Sequence, residues 1–238
     1  MTPARAIIMA GGRGTRLAPY TATIPKPLVP IDQYPILEII LRQLKHHGIT
    51  DVTLMLGHMA VYIQNFFGNG KKFGLNIRTI TETKPLGTAG PLSLIPKSNK
   101  PTLVMNGDLF TTMNFRKIIE HHVKNQAEAT IGLHDQETKV QLGVVHTDAQ
   151  HNITSYSEKP TLHFNVSIGI YVLSPRAVTM VPKNSFYNFP DLVETLIASK
   201  KKVLGYLDKS YWLDIGRPDD YITAIEKFKQ NKKLFLKS

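Results

Sequence analysis

The first half of the chain alternates short apolar runs with stretches of helical periodicity, and this alternation constrains the fold more than any other feature. An apolar run at residues 6–10 (AIIMA) ends at glycines, and similar runs follow at 52–56, 75–80 and 101–105. Between them, residues 36–47 carry apolar side chains at helical spacing, and 115–125 also read as a helix. Strands alternating with helices predict an α/β fold with a parallel sheet covered on both faces.

The second half has a different pattern. Runs at 129–133, 143–146, 153–157 and 166–173 read as strands with little helix between them, and helices follow near 191–199 and 218–229. We expect these strands to add antiparallel members to the sheet and to shape a pocket. The length of 238 residues, without an internal repeat or linker, predicts one domain over 1–238.

Composition excludes several classes of protein. The chain has no cysteine, so disulfides, thiolate zinc sites and cysteine nucleophiles are ruled out. No apolar run reaches the roughly 18 to 20 residues of a membrane helix, and the N-terminal apolar run is too short for a signal peptide. We therefore expect a cytoplasmic protein that does not bind membranes.

The net charge of +11 raises the question of an anionic partner. The lysines scatter, with local concentrations such as 200–202, and no aromatic residues are interleaved with them as in nucleic-acid-binding motifs. We expect no nucleic-acid partner. The same positive potential suits a smaller anion such as a nucleotide.

A glycine-rich segment at residues 11–17 (GGRGTRL) follows the first strand. Glycines let backbone N–H groups approach an anion closely, and Arg13 and Arg16 add forked donors that suit phosphate oxygens. The segment fits neither the Walker loop nor the Rossmann dinucleotide fingerprint. It predicts a phosphate cradle, with a glycine-rich turn carrying surface arginines as the alternative.

Lys26 lies between Pro25 and Pro27. Each proline fixes its own φ and restrains the residue before it, so the lysine stem leaves a stiff backbone in a defined direction. This pattern is typical of an ammonium preorganised for a phosphate, and equally of an exposed lysine in a stiff loop.

These motifs carry a family resemblance. MAGGRGTRL at 9–17 and IPKPLVP at 24–30 are followed, in order, by PLGTAG at 85–90, NGD at 106–108, GVV at 143–145, EKP at 158–160 and WLDIG at 212–216. The ordered set resembles the sugar-phosphate nucleotidyltransferase family, and is most similar to short guanylyl-, uridylyl- or thymidylyltransferases with a catalytic domain only. The resemblance implies a Rossmann-like fold of the nucleotide-diphospho-sugar transferase type. In that fold a mixed, mainly parallel sheet is flanked by helices, and inserted antiparallel strands form the sugar pocket.

The resemblance also implies a nucleotide-binding half, about 1–110, and a sugar-binding half, about 111–238. Arg16 would bind the β- and γ-phosphates or the departing pyrophosphate, Lys26 would contact the α-phosphate, and Asp108 completes the catalytic set. The residues implied in nucleotide binding are Ala10, Gly11, Gly12, Gly14, Thr15, Arg16, Gly87, Thr88, Gly90 and Asp108. A helix start capped by Thr88 is a structural alternative for the last glycine segment.

Two aspartates are candidates for a metal site. Asp108 follows an apolar strand, where ligands bind at the carboxyl edge of parallel sheets, and Asp214 is also bracketed by apolar residues. Mg²⁺ prefers one or two carboxylates with phosphate oxygens. Each aspartate alone could be a turn or cap residue, but the resemblance implies that the two share Mg²⁺. The adjacent pairs at 46–47 and 121–122 are histidines that we expect at helix C-termini or facing solvent.

The predicted sugar-phosphate site comes from the resemblance as well. Its residues are Gly143, Glu158, Lys159, Asn165 and Ser167, with Glu158 accepting hydrogen bonds from sugar hydroxyls and Lys159 pairing with the sugar phosphate. An exposed Glu-Lys pair before a turn is the alternative for these two residues. The chain has QLG at 141–143 and SIG at 167–169, where the family often has PYG or RYG and NAG. Both departures fall in the implied sugar pocket and leave the residues implied in phosphate chemistry unchanged.

The implied reaction is Mg²⁺-dependent transfer of a nucleoside monophosphate from GTP, UTP or dTTP to a sugar 1-phosphate, with release of pyrophosphate. The segment 82–90 favours guanylyl transfer slightly. Two alternatives stay open: an acceptor such as phosphocholine, and a non-catalytic nucleotide-sugar-binding regulatory protein. A homo-oligomer also stays open.

Overall fold

The computed structural model describes residues 3–236. Its strands are β1 (Arg5–Ala10), β2 (Pro30–Ile31), β3 (Tyr34–Pro35), β4 (Asp51–Leu56), β5 (Asn76–Thr81), β6 (Thr102–Asn106), β7 (Leu109–Thr111), β8 (Ala129–Lys139), β9 (Val144–Thr147), β10 (Ile153–Ser157), β11 (Thr161–Leu173), β12 (Val203–Leu207) and β13 (Trp212–Asp214). Its α-helices are α1 (Ile36–His46), α2 (Ala60–Phe67), α3 (Phe115–Lys124), α4 (Pro175–Thr179), α5 (Phe189–Ala198) and α6 (Pro218–Phe235). Within 3–236, no helix combines the length and the apolar character needed to cross a membrane.

A seven-stranded sheet in the order β12–β8–β11–β6–β1–β4–β5 forms the centre of the molecule. Strand β1 pairs in parallel with β4 and β6, β4 with β5, and β8 with β12. Strand β11 runs antiparallel to its neighbours β6 and β8, so it alone of the seven points the other way. The predicted mixed, mainly parallel sheet is confirmed.

Both faces of this sheet are covered. Consecutive residues of a strand point to opposite faces, and Ile7 and Ile8 of β1 are both fully buried. Ile8 belongs to one apolar cluster with Leu41 of α1, and Ile7 to another with Leu192 of α5. A third cluster packs α6 beside the sheet through residues such as Phe228. The helical spacing in α1 therefore marks a face buried against the sheet.

Several elements differ from the sequence-based expectations. Strands β8 and β11 extend well past the predicted 129–133 and 166–173, because residues 134–139 and 161–166 pair with each other beyond the sheet. Most of those side chains are exposed, so the periodic signal of burial is missing. The hairpin β9–β10 joins their outer ends, and we call this projecting unit, residues 134–166, the arm. Strands β7, β12 and β13 and helix α4 were not predicted, and α6 continues past residue 229.

His122 lies in the last turn of α3, as predicted for the paired histidines, but it does not face solvent. It is buried, and its Nδ1 lies 3.0 Å from Oγ1 of Thr130. It shares one face of α3 with Phe115, Ile118 and Ile119, which are also buried. Burial lowers the pKa of His122 to about 4, so the imidazole is neutral in the folded protein at neutral pH.

Candidate functional site

Two adjoining clefts lie at the carboxyl ends of the parallel strands, where open α/β sheets place their ligands. The larger has a volume of about 630 Å³, and among its lining residues are Gly11, Gly12, Glu82, Gly87, Thr88 and Asp108. The smaller has a volume of about 190 Å³, and among its lining residues are Ala10, Gly12, Gly14, Thr15, Arg16, Lys26 and Asp108. Gly12 and Asp108 line both clefts. Most residues predicted to bind a nucleotide are therefore brought together here.

The glycine segment folds tightly against its neighbours. A Cβ at Gly57 would lie only 2.7 Å from the carbonyl oxygen of Gly11, and the N–H of His58 donates to that same oxygen over 3.1 Å. Gly14 has a φ of 67°, which favours glycine, and its carbonyl accepts a hydrogen bond from the Thr21 hydroxyl at 2.8 Å. These contacts fix the segment at the floor of both clefts.

Lys26 lies in a short 3₁₀ helix that begins after Pro25. The Leu28 N–H donates to the Pro25 carbonyl over 2.8 Å, which closes the turn. The Lys26 side chain is 10% exposed, and its Nζ lies 2.5 Å from Oδ2 of Asp108, whose side chain is 24% exposed. The stiff proline-flanked backbone thus delivers a mostly buried ammonium into the smaller cleft.

Asp108 and Asp214 approach each other through an antiparallel pairing that the sequence did not indicate. Strand β13 pairs with β7, which places Asp214 opposite Leu109, and the Ile215 N–H donates to the Asp108 carbonyl over 3.2 Å. The Oδ1 atoms of both aspartates are buried and have no hydrogen-bond partner within residues 3–236. Two unsatisfied carboxylate oxygens at one place are costly unless a cation or a donor from outside the chain occupies it.

The pKa of Asp214 is raised because its carboxylate is buried next to Asp108. Burial is the largest cause that raises its pKa, and the nearby Asp108 carboxylate raises it further. Lys26 and Arg16 act in the opposite direction. A cation between the two aspartates would offset both the burial of the Asp214 charge and its repulsion by Asp108. This donor set fits the Mg²⁺ preference for one or two carboxylates plus phosphate oxygens. The described residues contain no group of three or more metal-ligating side chains.

Gly216 leaves space for the Arg16 side chain to lie close to Asp214. A Cβ at Gly216 would lie 3.6 Å from Oδ2 of Asp214 and 3.9 Å from Cζ of Arg16, so both side chains pack against the bare glycine. The Gly216 N–H donates to Oδ2 of Asp220 over 3.2 Å, which anchors the turn to the first turn of α6. Arg16 therefore lies at the end of the smaller cleft, close to Asp214.

The segment around Gly87 forms the opposite wall of the larger cleft. Gly87 has a φ of 80°, and the N–H groups of Ala89 and Gly90 donate to the Tyr187 carbonyl at 2.9 and 2.8 Å. Thr88 does not cap the following 3₁₀ helix, because its hydroxyl accepts from the Phe189 N–H at 2.9 Å. The segment is thus tied to the start of α5, and Gly90 packs against that region without lining the cleft.

Glu82 and Phe186 also face the larger cleft, although no motif in the sequence gave either of them a role. Glu82 comes directly after β5, its Oε2 accepts from the Leu86 N–H at 3.0 Å, and burial raises its pKa. Glu82 follows the end of a strand, as Asp108 does, so its position in the sequence could have indicated a residue of the site. Phe186 lies at the rim and is 67% exposed. Its loop has no periodicity that would have revealed it.

The predicted sugar-phosphate residues lie elsewhere, on the arm and at its base. None of the five lines either cleft. Glu158 accepts from the Tyr156 hydroxyl at 2.8 Å and lies 3.7 Å from Nζ of Lys159, and a Cβ at Gly143 would overlap that hydroxyl. Gly143, Glu158 and Lys159 are therefore grouped around Tyr156. Asn165 and Ser167 lie exposed on β11, nearer the sheet.

The chain is similar to known proteins in both sequence and fold. The family model described as Nucleotidyl transferase matches residues 5–231. The chain is 33% identical to a mannose-1-phosphate guanyltransferase of Yarrowia lipolytica over 92% of the chain, and 32% identical to a UTP–glucose-1-phosphate uridylyltransferase of Synechocystis over 93%. In each case it spans 62% of the relative's length.

Among solved structures, HddC from Yersinia pseudotuberculosis complexed with GMP-PN superposes with a TM-score of 0.72. It is 27% identical, and the match covers 94% of this chain and 99% of HddC. The matched family model covers nearly the whole length, and the relatives agree with it. The chain therefore belongs to the nucleotidyl transferase family.

Proposed function

We propose that the protein is a sugar-1-phosphate guanylyltransferase, which transfers GMP from GTP to a sugar 1-phosphate and releases pyrophosphate. The observation that carries this proposal is Asp108, which lines both clefts and pairs with the buried ammonium of Lys26. Asp214 lines neither cleft but lies next to Asp108, and the buried Oδ1 atoms of both aspartates have no partner within residues 3–236. The larger cleft has room for a nucleoside, and the smaller cleft is lined by cationic and glycine groups suited to phosphates.

The reaction brings two anions together, so neutralising their charge is its main requirement. An oxygen of the sugar phosphate attacks the α-phosphorus, and the bond from that phosphorus to the bridging oxygen breaks as pyrophosphate leaves with the electron pair. Asp108 and Asp214 would hold Mg²⁺, which supplies Lewis-acid polarisation of phosphate oxygens. Lys26 stabilises charge at the α-phosphate, and Arg16 binds the departing pyrophosphate. This assignment needs no covalent intermediate.

The choice of guanine rests on Glu82. A carboxylate can accept two hydrogen bonds side by side from the N1–H and N2–H₂ of guanine, whereas uracil and thymine offer one ring N–H. Glu82 faces the larger cleft with Oε2 already fixed by the Leu86 N–H. Phe186 at the rim offers a ring for stacking on the base. The guanylyltransferase relatives and the GMP-PN complex of HddC support the same choice.

The arm supports a sugar 1-phosphate as the acceptor. Glu158 and Lys159 provide an acceptor for sugar hydroxyls and a cation for the sugar phosphate, and both are exposed at its surface. For this arrangement to act, the arm must bring its sugar over the clefts. Mannose 1-phosphate is the first acceptor to test, because seven relatives are named for it. An NTP donor and a chain without cysteine also favour the cytoplasm, which cell fractionation of the activity would test.

The experiment is a matrix of GTP, UTP, dTTP and ATP against several sugar 1-phosphates with Mg²⁺, with pyrophosphate as the readout. GTP with one sugar 1-phosphate should release pyrophosphate, and Asp108→Asn should not. Phosphocholine is included as an alternative acceptor. Release from UTP or dTTP alone would refute the guanine assignment, and no release above the Asp108→Asn level from any pair would refute the enzyme assignment.

A further inference from the structure

A third cavity, which we call the rear pocket, opens at the amino-terminal end of β1, opposite the end at which the two clefts lie. It lies beside Arg5, the first residue of β1, whereas the clefts adjoin Ala10 at the end of that strand. Its other walls come from residues 92–99 before β6 and from α4 with the loop that follows. The volume is about 430 Å³, within the range of small-molecule sites. Neither the sequence motifs nor the proposed reaction uses this cavity.

The rear pocket has an apolar floor and a cationic rim. Leu92, Ile95 and Val181 on its floor are buried. Lys97 and Arg176 are exposed at the rim, and no carboxylate within residues 3–236 pairs with either of them. Lys183 is a third such cation, and no aspartate or glutamate lines the cavity.

Arg5 is the fourth cation of the pocket, and it serves the fold. Its Nη1 donates to the Pro96 carbonyl at 2.6 Å and its Nε to the Thr102 hydroxyl at 3.1 Å. These bonds fix the loop that carries Lys97. The three rim cations keep their donors available for a ligand. Such a rim suits an anion, and the apolar floor suits a planar or apolar body attached to it.

Two segments run directly from the rear pocket to the larger cleft. In the 3₁₀ helix Gly90–Leu94, Pro91 lines the cleft and Leu92 lines the rear pocket. In the loop after α4, Lys183 lines the rear pocket and Phe186 the cleft, and the next residue, Tyr187, holds the cleft wall through its carbonyl. A ligand that moves either segment at the rear changes the wall at the front.

We infer that the rear pocket binds an effector of the nucleotide class, with a phosphate on its cationic rim and a planar body on its apolar floor, and that this binding changes nucleotide affinity in the larger cleft. The coupling rests on the proposed function, whereas ligand binding in the rear pocket does not.

The first test uses 8-anilinonaphthalene-1-sulfonate, a fluorescent apolar anion, as the probe. Lys97→Gln/Arg176→Gln should weaken its binding at least about tenfold, since charge-assisted hydrogen bonds are lost. The matched control, Lys229→Gln/Lys233→Gln, removes the same charge from exposed positions on α6 and should stay within about twofold of wild type. Equal affinity in wild type and the rear-pocket variant would overturn the proposal.

The second test identifies the ligand class and the coupling. Part of the probe binding seen in wild type should be missing in Lys97→Gln/Arg176→Gln. AMP should displace the probe from this part, and adenosine at the same concentration should not. Displacement by adenosine alone, or by neither, would overturn the assignment of a phosphate-bearing ligand. AMP should also change the Kd of GTP about fivefold or more in wild type and not in the variant. If GTP binds nowhere, the proposed function fails while the probe and AMP results still decide the rear pocket.

Discussion

Replacing Lys26 by methionine tests whether the ion pair at the junction of the clefts stabilises the fold. Methionine keeps most of the volume of the stem and removes the ammonium, which lies 2.5 Å from Oδ2 of Asp108. Asp108 would then lose the one cation that pairs with it within residues 3–236, and its Oδ1 is already buried there without a partner. Asp214 would also lose a charge that lowers its pKa. The variant should therefore be less stable than wild type.

The geometry of the ion pair sets the size of the expected loss in unfolding free energy. At 2.5 Å and an effective dielectric constant of about 20, the gross attraction is about 7 kcal/mol, and desolvation of each ion offsets several kcal/mol. Breaking a buried pair costs about 3 to 5 kcal/mol. Because the Asp108 side chain keeps 24% exposure, we expect about 2 to 3 kcal/mol.

The assay is equilibrium unfolding in urea, with Lys26→Met, Asp108→Asn and the double variant compared in a cycle. The double variant leaves no stranded charge, so it should recover most of the loss and give a coupling energy of about 2 kcal/mol. The control is Lys232→Met, which breaks a pair with Asp32 whose side chains are 40% and 37% exposed, and should cost less than about 1 kcal/mol. A loss in Lys26→Met no larger than in the control, or strictly additive costs, would refute the reasoning.

Asp214→Asn should lower pyrophosphate release at least about 100-fold without lowering the urea midpoint, because the fold already disfavours its charged form; near-normal turnover would contradict this. Glu82→Gln should lower kcat/KM for GTP at least about tenfold more than for UTP, since one guanine donor loses its partner, and an equal loss for both would argue against base reading. As the pH falls from 6.5 towards 4, His122 becomes protonated in the unfolded chain but stays neutral in the folded chain. The free energy of unfolding of wild type should therefore fall by on the order of 3 kcal/mol. Unfolding at several pH values should show a smaller loss in His122→Gln than in a His121→Gln control, and equal pH slopes would contradict the assignment.

The sheet could be predicted because its first strands are buried on both faces. Ile7 and Ile8 lie in a continuous apolar run, and α1 carries an apolar face at helical spacing, so pattern alone indicates a covered parallel sheet. The glycine segment and Lys26 could be located for a similar reason. Their geometry is set by neighbours in the chain, through positive φ at Gly14 and proline restraints on either side of Lys26.

The parts that escaped prediction depend on contacts between distant segments. The family motifs implied that Asp214 lies close to Asp108. Strand β13 has only three residues, however, and nothing local indicates the pairing with β7 that brings the two aspartates together. The outer arm is exposed, so burial leaves no pattern in its sequence. His122 is different, because its spacing from Ile118 and Ile119 already places it on the apolar face of α3, so its burial could have been predicted from the sequence.

The measurement that tests the central claim most directly follows two labels through one reaction. GTP labelled with ³²P at the α-position, or separately at the γ-position, is incubated with mannose 1-phosphate, Mg²⁺ and the full chain, and the products are separated. We predict that the α-label appears in a GDP-sugar and the γ-label in pyrophosphate, in equal amounts. Transfer of the γ-label to the sugar, or its release as inorganic phosphate with no α-labelled sugar nucleotide, would contradict the account.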